Sequence, residues 1–114
     1  MTAIPEILSG QDRGYIFVEG ASNQSFRSGF KHFGDAYSGP MPTAGGMIND
    51  ELELRWGSKK FFLISYRLDL SGWSRLINGH CAEKRLSFVE YREGRLLLNG
   101  VAEISHDAVS FVQH

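Results

Sequence analysis

From Met47 to the C-terminus, apolar and polar residues alternate with a period of two, which commits most of this chain to β-strands. Ile48, Leu52, Leu54 and Trp56 fall on one face, with Asp50, Glu51, Glu53 and Arg55 mostly between them. Gly57-Ser58 suits a two-residue hairpin turn. On the return, Phe62, Ile64, Tyr66, Leu68 and Leu70 alternate with Phe61, Leu63, Ser65, Arg67 and Asp69. The second set begins apolar and ends polar, so this strand is expected to be covered on both faces early and on one face later. After the break at Ser71-Gly72, Trp73 to Ile77 reads as another short strand, and Asn78-Gly79 as the strongest hairpin signal in the chain. His80 to Tyr91 continues with Leu86 and Phe88 opposite Val89 and Tyr91. Arg92-Glu93-Gly94 turns into Arg95–Leu98, Asn99-Gly100 turns again or makes a bulge, and Ser105-His106-Asp107 precedes a last strand with Val109, Phe111 and Val112.

The first part of the chain is less regular. Pro5 can start a short helical turn that Gly10 ends, and Tyr15–Glu19 reads as a strand. Phe26, Phe30 and Phe33 stack at i, i+4 and i+7, which predicts a helix near residues 22–33, capped by Ser22 or Asn23 and stopped by Gly34. Gly29 inside it costs about 1 kcal/mol against alanine, so this helix needs tertiary support. Residues 34–46 carry Gly and Pro without periodicity and read as one long loop, of a length that is often functional or disordered. The expected fold class is α+β: a twisted antiparallel β-meander of about six or seven strands, half-barrel or cone-like, with the 22–33 helix packed on it. An all-β barrel is the alternative. Residues 1–46 hold too little apolar material for a core of their own, so 1–114 is read as a single domain.

Composition then limits function. With 12 Lys+Arg against 13 Asp+Glu, the net charge is −1, which argues against nucleic acid as a partner. Arg67, Arg75, Arg92 and Arg95 lie among Trp56, Tyr66, Trp73 and Tyr91. Acidic residues are as dense there, which favours a solvated mixed-charge face over a base-stacking platform. The lone Cys81 excludes an internal disulfide and a zinc site with two or more cysteines. No membrane-spanning apolar run and no signal-like N-terminus are present, so a cytoplasmic location is expected.

No G-x-S-x-G, P-loop or H-E-x-x-H motif occurs, which leans away from an enzyme. His32 and Asp35 are the candidate acid/base pair, because a carboxylate beside an imidazole fixes its tautomer and raises its basicity. The ordinary alternative for His32 is a basic residue complementing a helix C-terminus. His80 and Cys81, as strand neighbours, would point to opposite faces and could not act on each other, and Cys81 reads as a small buried apolar residue. His106-Asp107 reads as turn, and a metal site built from His32, His80 and His106 has no supporting spacing, so no metal or cofactor is expected. Trp73 and Arg75, two apart on a strand, could share a face. With Tyr37 and Met41 of the loop they are the candidate partner-binding residues. The bland reading of Trp73 is a cap on the core.

The leading expectation is a non-enzymatic protein-binding module, a small inhibitor, immunity protein or accessory factor. It would act through a sheet face or an edge strand, with another protein or a second copy in a homodimer as partner. The alternative is a small-molecule binder or small enzyme with a cone-like cavity, with His32/Asp35 as acid/base and Tyr66 and His80 as further groups to test.

Overall fold

The computed structural model describes residues 4–20, 46–69 and 72–114. The helix expected at 22–33, the loop up to residue 45, and with them His32, Asp35, Tyr37 and Met41, lie outside the described residues. The strands are β1 (Arg13–Glu19), β2 (Gly46–Trp56), β3 (Lys59–Arg67), β4 (Phe88–Arg92), β5 (Arg95–Leu98), β6 (Ala102–Ile104) and β7 (Val109–Gln113). One helix, α1 (Trp73–Lys84), joins β3 to β4, and short 3-10 turns occupy Glu6–Ser9 and His106–Ala108. The expected α+β class is therefore the observed one: an antiparallel seven-stranded sheet with a helix against it.

The strand order is β6-β5-β4-β1-β3-β2-β7. β1 enters between β4 and β3, pairing Tyr15 with Tyr91 on one side and Ser65 on the other. The last two strands, adjacent in sequence, stand at opposite ends of the sheet. In a flat sheet those ends would be about 29 Å apart, at roughly 4.8 Å per strand spacing. The five residue steps from Ile104 to Val109 reach at most about 18 Å. The sheet must therefore curl, and it does so as a half-barrel.

Side-chain alternation sorts the apolar residues into two layers. Inside the curl, all seven strands contribute: Tyr15 and Phe17, Leu52 and Leu54, Phe61 and Leu63, Val89, Leu96, Ile104 and Val109, with Leu8 of the first 3-10 turn beneath them. On the outer face, Ile16, Val18, Ile48, Phe62, Ile64, Tyr66 and Phe88 meet Trp73, Ile77 and Cys81 of α1. β3 runs between both layers, so Phe61 to Tyr66 are all buried, as its doubly apolar start implies. A side chain of this size contributes about 1.5–3 kcal/mol when fully buried.

The structure corrects two readings. The segment 73–84 is helical, not a strand and hairpin. Asn78-Gly79 sits inside the helix, and Trp73, Ile77, His80 and Cys81 bury one face at i, i+4, i+7 and i+8. The helix starts behind Gly72, whose φ of 107° lies where side chains are disfavoured. It ends with Arg85 in the left-handed region, where Leu86 N–H donates to Cys81 O at 2.8 Å. In β2, Ile48 does not share a face with Leu52 and Leu54. Asn49 pairs with Leu63 but Glu53 with Phe62, so β2 carries three extra residues against β3 and its inward side flips. Asn49 Oδ1 accepts from Glu51 N–H at 2.7 Å and holds this bulge.

The Gly57-Ser58 turn, with Gly57 at φ 62°, and the Glu93-Gly94 turn, with both residues at positive φ, are where the sequence puts them. Among the described residues no helix is long and apolar enough to cross a membrane.

Candidate functional site

Antiparallel pairing brings the start of β1, the end of β3 and the end of β4 to one end of the curl. Arg13 faces Arg67, Gly14 faces Tyr66, and Tyr15 faces Tyr91 across the strands. With the segment after the first 3-10 turn and the Glu93-Gly94 turn, they enclose an open cleft of about 600 Å³. That lies within the range of roughly 300–1,000 Å³ usual for small-molecule sites.

Three tyrosines build its walls. The Tyr66 ring lies against Gly14, close enough that no side chain fits between them. The ring also packs with Trp73 and Ile77 of α1, which ties the wall to the helix. Burial pushes the Tyr66 hydroxyl above its usual pKa, the neighbouring Ser74 hydroxyl opposes this, and nearby Glu90 adds to the rise. Tyr66 is therefore a neutral group at physiological pH. The Tyr15 hydroxyl donates to Gly10 O at 3.3 Å, and its ring meets Tyr91 edge to face, centroids 6.1 Å apart. Leu68, 54% exposed, forms an apolar rim.

The polar lining comprises Ser9, Gln11, Arg13, Glu90, Arg92 and Glu93. Arg92 is paired with Glu90. Gly94 O accepts from His106 Nε2 at 2.9 Å, so the linker between β6 and β7 braces the turn at the cleft edge. Arg13 lines the cleft half-buried.

The structure separates the residues singled out from sequence. Trp73 is only 2% exposed and packs in the outer layer, whereas Arg75 is exposed. In a helix two residues apart lie about 200° around the axis, so this pair shares no face. His80 and Cys81 are both buried on α1, at 4% and 0% exposure, because helix neighbours differ by only about 100°. Burial lowers the His80 pKa, helped by Lys84 and opposed by Glu83, and burial pushes the Cys81 thiol up to about 12. A thiol held that high is not a nucleophile at neutral pH. Among the described residues no group of three or more His, Cys, Asp and Glu could hold a metal ion.

Four of the sheet's five arginines among the described residues are matched to acids, Arg13 being the exception. Arg55 pairs with Glu53, Arg67 with Asp69 at 2.7 Å, and Arg95 with Glu103 at 3.1 Å. This is the solvated mixed-charge surface that composition suggests.

Sequence reasoning missed Tyr15, Gly14 and Arg13 as site residues. The available signal was weak: a glycine between a charged and an aromatic residue at a strand start, marking a close approach. No family model, curated protein or solved structure matches this chain.

Proposed function

We propose that this domain binds a small organic molecule in the cleft at the open end of the curled sheet, as a binder and not a catalyst. The observation that carries this reading is a roomy cleft with walls already locked in place. Tyr66 is seated on Gly14 and packed against α1, and Tyr15 is held between Gly10 and Tyr91. Walls fixed before binding spare a ligand the ordering cost of building them. We place the function in the cytoplasm, where a lone buried thiol such as Cys81 stays reduced.

A thermal-shift screen of small aromatic and aliphatic compounds tests it. A ligand at about 100 times its Kd should stabilise the fold by about 2.7 kcal/mol. The stabilisation should vanish in Leu68→Trp, which narrows the mouth from an exposed position. Shifts that survive Leu68→Trp, or none across the screen, would reject the cleft.

A second reading rests on β7. Among the described residues this strand ends the sheet, and Val109–Gln113 carries neither charge nor proline. Edge strands usually hold such residues to block pairing. A second copy of the chain is the proposed occupant, through strand addition. Light scattering of the wild type and of Ser110→Lys decides it: a dimer dissociated by the lysine supports self-pairing, and a wild-type monomer removes it.

A further inference from the structure

We infer that the ligand of this cleft is an organic anion whose carboxylate or phosphate is received by Arg13. The inference rests on the cleft being a binding site and adds the ligand's chemical class. Arg13 opens β1, lines the cleft and is half-buried. Its guanidinium has no acidic partner among the described residues, in contrast to Arg55, Arg67, Arg92 and Arg95. Among the described residues no acid, the adjoining Asp12 included, forms an ion pair with Arg13. Glu90 is held by Arg92, Asp69 is held by Arg67, and Glu93, which also lines the cleft, makes no ion pair with Arg13.

The register makes the arrangement costlier still. Arg13 stands directly across from Arg67 in the β1–β3 ladder, and like charges opposite one another destabilise a sheet. Folding thus brings an unmatched cation to the wall of an aromatic cleft, across from an arginine already paired with Asp69. A half-buried charge without a partner carries a desolvation cost. An incoming anion would remove that cost. Arginine offers two parallel N–H donors that match a carboxylate or a phosphate oxygen pair. Tyr15, Tyr66 and Tyr91 supply the apolar walls for the rest of the molecule.

The experiment uses the full chain and three matched probes, benzoate, phenyl phosphate and uncharged benzamide, with binding measured by calorimetry and thermal shift. The expected result is binding of benzoate or phenyl phosphate with benzamide at least about tenfold weaker. Whichever anion binds more tightly identifies the headgroup. Arg13→Gln should weaken the anion by about 10–100-fold, as loss of a charged hydrogen-bond pair does. Arg13→Lys should recover part of it, and Arg67→Gln should leave binding unchanged within a factor of two or three. Without ligand, Arg13→Gln should melt no lower than the wild type, because it removes the like-charged pair; a purely structural role for Arg13 predicts a lower Tm. Benzamide binding as tightly as benzoate, lost in Leu68→Trp but kept in Arg13→Gln, would overturn the anion and leave the cleft standing. No binding by any probe at millimolar concentration, while other neutral compounds bind, would overturn the anion likewise. Anion binding unaffected by Leu68→Trp would count against the cleft itself.

Discussion

The Tyr66 ring covers Gly14 so closely that a Cβ built on residue 14 would stand 2.2 Å from Tyr66 Cζ and 2.5 Å from its hydroxyl oxygen. Residue 14 is thus a floor for an aromatic wall. Tyr66 cannot retreat freely, because it packs against α1. Gly14→Ala is expected to destabilise the fold by about 1–3 kcal/mol, the usual cost of overpacking. It should also weaken any cleft ligand. Urea unfolding checks the first effect, and an alanine variant with an unchanged midpoint would show that the ring yields without cost.

Gly79 behaves in the opposite way. It lies inside α1, and an added Cβ there would meet nothing within 4 Å. Alanine loses less backbone entropy in a helix, so Gly79→Ala should stabilise the protein by about 0.5–1 kcal/mol. A hairpin turn at Asn78-Gly79 would require positive φ and predict destabilisation instead. The sign of the change in urea midpoint therefore distinguishes helix from turn.

His80 links stability to acidity. Its pKa is lowered in the folded protein, chiefly by burial, so the unfolded chain takes up the proton more readily. Its contribution is complete above the unfolded value, about 6.5. As pH falls through that value towards the lower folded one, stability is lost. His80→Gln should lose less stability than the wild type over that acidic interval, measured as unfolding free energy at pH 7 and at steps below it. Parallel curves for the two proteins would refute the assignment.

Cys81 should be chemically silent in the native state. With its thiol pushed up to about 12 by burial, almost no thiolate forms at pH 8. A thiol reagent is expected to modify it at least about a hundredfold more slowly than in urea-unfolded chain, since thiolate is the reacting species. Native-state modification at the unfolded rate would mean that α1 opens readily from the sheet.

The sequence carried the sheet well because β3 and the two glycine turns obey local rules. Phe61–Tyr66 alternate with both sets apolar, and Glu93-Gly94 supplies the positive φ that a tight hairpin needs. Helix α1 escaped because its buried stripe is completed by His80 and Cys81, which score as chemistry before they score as core. Asn78-Gly79 within it imitates a turn. Trp73 and Ile77 already held the helical spacing. The flip of Ile48 depends on the three-residue bulge, which only the pairing of β2 with β3 defines. The cleft was illegible for a related reason: Arg13, Tyr66 and Tyr91 converge through a strand order in which β1 is inserted between β3 and β4.

The short passage from β6 to β7 acts as a tether of fixed length between the two margins of the sheet. Its span from Ile104 to Val109 caps how far those margins can part, and His106 fastens it to Gly94 beside the cleft. The curl of the sheet is therefore governed in part by the length of a linker that contributes none of the cleft's lining residues. Adding residues there would widen the cone without altering a single tyrosine, and shortening it would tighten the cone. Through that linker, chain length sets how far the sheet curls.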